Sequence, residues 1–348
     1  MPVTSDQGPP DLQPGVRKIL EGADPATTMP RWFGANRTAS IAFAERFHAN
    51  PVQPTLFHYT SSAALISILR NNELWLSDAT FLNDRVEIEH GRKIACERIR
   101  AAMAVDPRAD VKEMLASALA KFTDEPDPIV YVACFSLEGD DLAQWRGYGR
   151  GDAPIAIELE HGPLMFGYTS EGELHMVLYD PTEQAWAFDQ MLEAYIAAYA
   201  EDVLLPRPSL RVDPITPEEE REMCANSLYY GLWRYIVACK DPSFASEREV
   251  RFTYTAHDYG RMREGWHPEH PAASFREAGG RIVPYLSSRN LDFRNMKRVR
   301  EAPTLPIVSV RVGPMDDQWT IARGVRRLLD AYDHRNAAVT LSGTPFRG

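Results

Sequence analysis

From Leu56 onward the apolar residues fall into short bursts of strand length, separated by longer stretches in which they return every three or four positions. The run TLFHY predicts a first strand, after which Thr60 or Ser61 caps a helix reaching about Asn71, with Leu65, Ile68 and Leu69 at helical spacing. ELWLS predicts a second strand. A polar turn around Asn83 and Asp84 then opens a long helix from about Arg85 to Ala120, broken near Pro107. PIVYVACFS is a continuous apolar run of strand length, which suits a strand covered on both faces. A short helix in DDLAQWRGY and strands in PIAIELE and HMVLYD follow.

Two helices come next, one from about Thr182 to Leu204 and one from Thr216, with Pro217 in its first turn and Glu218, Glu219 and Glu220 near its positive end. EREVRFTYT alternates charged and apolar positions, predicting a half-exposed strand with Glu247, Glu249 and Arg251 on one face. RIVPYL and PIVSVRVG are two more strands, and a helix in DQWTIARGVRRLLDAY and a strand in AAVTL close the chain. The expected fold is therefore α+β, a mixed and mostly antiparallel sheet of about seven short strands with long helical insertions at about 85–121 and 182–240. Residues 1 to about 35 carry six prolines and little apolar periodicity, predicting a loosely ordered arm ahead of a single α+β domain over 36–348.

Composition narrows the function classes. In 348 residues, 38 Lys and Arg against 49 Asp and Glu give a net charge of −11, so bulk attraction to nucleic acid or an anionic membrane is not expected. A local exception is SRNLDFRNMKRVR, which places Arg289, Arg294, Lys297, Arg298 and Arg300 in one stretch. It reads as a solvated loop facing the acidic surface or as a phosphate-backbone contact. Cys96, Cys134, Cys224 and Cys239 form no CxxC pair, which predicts reduced thiols and a cytoplasmic protein. There is no HExxH, no GxGxxG, no GKS/T and no apolar run long enough to span a bilayer, so neither a metal site nor a membrane partner is expected. RGYGRGD sits between a helix and a strand, the wrong order for a phosphate cradle.

Three separated clusters carry candidate chemistry. The first is His58-Tyr59 with Ser77, Asn83, Asp84 and Glu87; the second is Ser136, Trp145, Arg146 and Tyr148; the third is the E-x-E-x-R of Glu247, Glu249 and Arg251. Residues two apart on a strand project from one face roughly 7 Å apart, so two carboxylates there need a nearby cation, for which Arg251 is the candidate. Each cluster also has a structural reading: a satisfied histidine, a solvated strand face, and aromatics at i and i+3 that belong to a core.

In this order FHYTS, LNDRVE, ACFS, QWRGYG, FASEREVRF, VRVGP and GTPFR resemble the bacterial family catalogued as domain of unknown function 2971. The resemblance spans about Leu56 to the C-terminus. The layout of that family is in turn distantly similar to the ADP-ribosyltransferase fold, which implies NAD as substrate, His58 on the ribose, aromatics around the nicotinamide and a late-strand Glu249. Cleaving the nicotinamide N-glycosidic bond passes through an oxocarbenium-like sugar that a carboxylate favours electrostatically. In that reading Glu249 stabilises the sugar cation, Glu247 acts as base toward the acceptor and His58 fixes the ribose, while Tyr59, Ser77, Asn83, Ser136, Trp145, Tyr148 and Arg251 line the nucleotide site. The sequence departs from the toxin-like members after the second strand, where LWLSDATF offers Trp75 and Phe81 in place of a tyrosine.

The leading expectation is an NAD-consuming transferase of bacterial toxin or phage-defence biology, modifying a protein or nucleic-acid acceptor. Its test is Glu249→Gln, expected to end NAD turnover at an almost unchanged melting temperature. The alternative is a non-enzymatic nucleotide-sensing or regulatory module using the same cleft, with His58 facing the ligand. A metal-dependent nuclease would instead use Asp84, Glu87, Glu89 and Lys93 on one helix face, although Glu89 and Lys93 at i and i+4 are also an ordinary helix ion pair.

Overall fold

The computed structural model describes residues 30–47, 55–81, 85–125, 127–148, 153–160, 173–204, 215–256, 273–290 and 304–345. The chain is a mixed α+β protein that divides into two compact units. The first comprises Met1–Ala42, Cys96–Glu125 and Asp189–Gly231, and the second Phe43–Ala95, Pro126–Phe188 and Leu232–Gly348.

The described part of the first unit is helical. It draws on α1 (Trp32–Phe47), α3 (Arg85–Val105), α4 (Ala109–Asp124), α6 (Pro181–Leu204) and α7 (Pro217–Ile236). The predicted break near Pro107 separates α3 from α4. Helix α1 starts at Trp32, inside the stretch expected to be a loose arm, because Trp32 and Ala35 are buried and Arg31 pairs with the carboxylate of Asp202 at 2.9 Å. Thr216 starts α7 with a capping box: its N–H donates to Glu219 Oε2 at 2.8 Å, and its Oγ1 accepts from Glu219 N at 3.2 Å.

The second unit holds a ten-stranded sheet. Its main path runs β10 (Ala338–Leu341), β9 (Ile307–Val312), β4 (Pro154–Glu160), β1 (Thr55–Ser61), β3 (Ile129–Ser136), β2 (Trp75–Asp78), β8 (Arg281–Ser287), β7 (Ser274–Ala278). Strand β6 (Glu249–Ala256) pairs with β3, and β5 (Glu173–Met176) pairs with β6. Every pairing is antiparallel except β9 with β10, which α8 (Gln318–Ala331) connects. The pattern anticipated all of these strands except β7.

One face of the sheet, face A, is the main core. Leu56, Ala133, Phe135, Ile155, Ile157, Leu159, Val250, Phe252 and Val310 pack there under Leu65 and Leu69 of α2 (Ser62–Asn71) and Val325 and Leu329 of α8. Ser61 caps α2, its side chain accepting from Ala64 N at 3.2 Å, and Asn72 ends it in the left-handed conformation at φ 50°. The opposite face B carries Tyr59, Ala156 and Trp145, the last from α5 (Leu142–Tyr148).

The expected half-exposed E-R strand is not found. Val250, Arg251, Phe252, Thr253 and Tyr254 are all buried, and β6 begins only at Glu249. Glu247 instead ends a 3₁₀ turn over Pro242–Glu247, and Arg248 reverses the backbone at φ 46°. The charges are buried because they neutralise one another.

Candidate functional site

The strands around β3 form a fork. Along one edge of β3, β1 pairs only at Phe57–Ser136, and β2 pairs only at Ser77–Val132 and Asp78–Tyr131. Between these points β1 continues against β4 and β2 against β8, so both leave the middle of β3. His58 sits at the branch. Its Nδ1–H donates to the carbonyl of Cys134 at 2.9 Å, which supplies the unclaimed edge with a donor and fixes the ring tautomer. Nε2 is then the lone-pair nitrogen, with no hydrogen-bond partner among the described residues and without being sealed from solvent. Burial lowers the pKa of this half-buried ring, a shift only partly opposed by the Cys134 carbonyl, so His58 presents a neutral acceptor.

Glu249 is held very differently. Its Oε1 takes Arg251 Nε at 2.8 Å, and its Oε2 takes Arg251 Nη2 at 2.9 Å and Lys240 Nζ at 3.2 Å. Burial pushes this carboxyl up, but the Arg251 charge and hydrogen bonds, with Lys240 behind them, outweigh it and bring the pKa down to about 2. Arg251 Nη1 also donates to the Val237 carbonyl at 2.7 Å. Lys240 bonds the Glu247 carboxylate too, so both acidic groups of the E-x-E converge on one ammonium. The glutamates thus share a space, as expected, but through a backbone turn and with a second cation nine residues upstream. Lys240 was missed because its surroundings in the sequence, VACKDP, give no sign of what it faces.

His58 and Glu249 lie on opposite faces of the sheet. Phe57 pairs with Ser136 and Ser136 with Glu249, so these three share face B, and His58 next to Phe57 must project to face A. The ring positions agree: His58 lies 5.7 Å from Phe135, a face A core residue. The expected His58–Glu249 pairing across one ligand is not what the register builds.

Most other motif residues gather on face B around the loop from Leu137 to Asp141. The Tyr59 hydroxyl donates to the Glu138 carbonyl at 2.7 Å and accepts from Asp141 N at 3.0 Å, and its ring meets Trp145 edge-on at 4.7 Å. Burial pushes its pKa up to about 12. Ser136 Oγ donates to the Glu247 carbonyl at 2.9 Å, and Gln144 Nε2 to the same oxygen at 3.3 Å. Trp145 Nε1 donates to Asp140, whose carboxylate also takes Ser342, Gly343 N and Thr344. Gly313 is glycine because a Cβ there would sit 2.7 Å from Pro154 and 2.8 Å from Trp145. HYT, CFS, QWR, VRVGP and the start of GTPFR therefore share one hydrogen-bonded framework. Tyr59, Ser136 and Trp145 each hold a place in it through these hydrogen bonds.

Ser77 lies apart on face B, where its Oγ accepts from Arg276 at 2.8 Å. Asn83 and Asp84 lie outside the described residues, as do 149–152 of RGYGRGD, Phe346 and Arg347 of GTPFR, and Arg294, Lys297, Arg298 and Arg300 of the basic stretch. Glu87 and Tyr148 are described as helical backbone only. Arg289 donates to the Asn71 carbonyl at 3.1 Å, and Glu89 pairs with Arg92 at 3.7 Å in place of Lys93. No group of three His, Cys, Asp or Glu among the described residues could hold a metal ion, and no described helix is long and apolar enough to cross a membrane.

Comparison with known proteins finds no matching curated protein and no matching solved structure. A family model described as Protein of unknown function (DUF2971) matches residues 144–252, a stretch that holds QWRGYG, β4, β5, the first half of β6 and the whole Glu247–Glu249–Arg251 arrangement but not the His58 strand. Over that stretch the chain is similar to this family of unknown function.

Proposed function

We propose that this chain is a nucleotide-binding module whose ligand is met at the sheet fork by His58. The observation that carries the reading is the imidazole itself: anchored through Nδ1–H to the Cys134 carbonyl, kept neutral by burial, and left with an acceptor at Nε2 that no described residue claims. Such a nitrogen suits a ribose hydroxyl, which it can orient without moving. The test is calorimetric titration with NAD and ADP-ribose beside a chromatographic assay for nicotinamide. Saturable binding that is lost in His58→Ala, with no nicotinamide released, is the expected result. Absence of binding to the folded wild type overturns the reading.

A second reading, NAD-consuming ADP-ribosyl transfer, is favoured by the two glutamates converging on Lys240. In it the bond from ribose C1′ to nicotinamide breaks, nicotinamide leaves with the electron pair, and an acceptor nucleophile bonds to C1′ while its proton passes to a carboxylate. Of the two side chains Glu247 is the more accessible, at 27% exposed against 7% for Glu249, so it is the stronger candidate for that contact. Nicotinamide release that disappears in Glu247→Gln would establish this reading over the first.

A further inference from the structure

Strands β2, β7 and β8 build a second polar cluster on face B that neither reading above uses. Trp75 and Ser77 alternate on β2, Tyr285 lies directly across from Ser77 on β8, and Arg276 reaches over from β7. The Trp75 and Tyr285 rings lie 4.4 Å apart at 31°, and the Arg276 guanidinium lies 5.9 Å from the Trp75 centroid. Trp75 is locked by a hydrogen bond from its Nε1 to Glu73 at 2.8 Å, and the same carboxylate takes the Ser287 hydroxyl.

The cluster has hydrogen-bond donors to spare. Arg276 has no carboxylate partner among the described residues; the one polar contact of its guanidinium is Nη2 to Ser77 Oγ at 2.8 Å, and its Nε is buried without an acceptor. Ser77 Oγ accepts in that contact and keeps its own hydrogen to donate, and neither that hydrogen nor the Tyr285 hydroxyl has a hydrogen-bond partner among the described residues. A half-buried guanidinium without a counter-charge is costly for the fold, and here burial lowers its pKa. Adjacent unmatched donors around an uncompensated cation fit an acceptor-only, negatively charged group.

We propose that Arg276, Ser77 and Tyr285 form an oxyanion site that takes a phosphate group, with the Trp75–Tyr285 pair as its wall. The guanidinium supplies the charge and the two hydroxyls complete the hydrogen bonds to the phosphate oxygens. The site does not depend on the His58 fork.

The experiment is calorimetric titration of the full chain at low ionic strength with inorganic phosphate and with AMP, on wild type, Arg276→Gln, Ser77→Ala and Tyr285→Phe. Saturable binding is expected for at least one probe, weakened about ten-fold or more by Arg276→Gln and by a smaller factor in each hydroxyl variant. AMP binding more tightly than phosphate assigns the site to a nucleotide phosphate, and equal affinities assign it to the bare oxyanion. Because Arg276 is not neutralised in the fold, its exchange for Gln should leave the melting temperature unchanged or raise it, which separates lost binding from lost structure. No saturable binding of either probe to the wild type, or affinities unchanged in Arg276→Gln, would overturn the proposal.

Discussion

Glu249→Gln separates a structural carboxylate from a catalytic one. In the wild type Arg251 and Lys240 engage both oxygens at 2.8–3.2 Å, and the residue is 6% exposed. The amide keeps one acceptor and turns an NH₂ toward two cations, leaving Arg251 without its carboxylate. Breaking a buried ion pair by removing one partner costs about 3–5 kcal/mol. The carboxyl gives a figure of the same size, since moving its pKa from 4.5 to about 2 corresponds to about 3 kcal/mol. For a cooperative unit of roughly 200 residues that is on the order of 10 °C in melting temperature. Thermal unfolding followed by circular dichroism tests this, and a drop under about 3 °C would refute it and free Glu249 for chemistry. The pH dependence provides a second check. A carboxyl whose pKa is depressed in the fold contributes stability that is complete above 4.5 and is lost as pH falls toward about 2. The gap between wild type and variant should therefore be widest near neutral pH and close in that acid window. This corrects the expectation from sequence that Glu249→Gln would leave the melting temperature almost unchanged, and it means that lost turnover in that variant would not by itself identify a catalytic group.

Other consequences can be measured directly. The folded pKa of His58 lies below the ordinary 6.5, so its contribution to stability is complete above that value and declines as pH falls below it. His58→Gln should flatten the wild-type stability curve there, and an unchanged slope would argue against a neutral His58. Tyr59→Phe removes one bond to the Glu138 carbonyl and one from Asp141 N, and should cost about 1–3 kcal/mol in denaturant unfolding. Asp140→Ala unpairs Trp145, Ser342, Gly343 and Thr344 together, so proteolysis should cut the C-terminal segment sooner than in the wild type. Gly313→Ala forces a Cβ to within 2.8 Å of Trp145 and should destabilise by about 1–3 kcal/mol, with a shift in tryptophan fluorescence.

Local order was legible where one chain segment decides the outcome. The Ser61 cap, the break before Ala109 and the apolar run of β3 each follow from their own residues. Strand β7 was not, because SFREA presents Phe275 at 66% exposure on an edge, without the buried face that gives a strand its periodicity. The E-R strand was misread because alternation of charged and apolar residues is the same whether the charges meet water or each other. Only Lys240 and the bidentate Arg251 distinguish the two cases, and the chain brings Lys240 in through a turn that strand spacing does not describe.

The candidate site shows the same limit more sharply. The order of His58 before Glu249 is visible in the sequence, but whether they can act on one ligand depends on parity across three strands. Parity is set by register, and a slip of one residue turns every side chain to the other face. With Phe57 opposite Ser136 and Ser136 opposite Glu249, His58 faces the core side of the sheet while Glu249 closes an ion cluster on the other. Tyr59, its neighbour, takes the face B position and ties the loop that also holds the Glu247 carbonyl. Adjacent residues of one motif therefore serve two sides of the sheet: Tyr59 anchors the framework on face B, and His58 on face A bonds the Cys134 carbonyl through Nδ1 and keeps Nε2 unclaimed among the described residues.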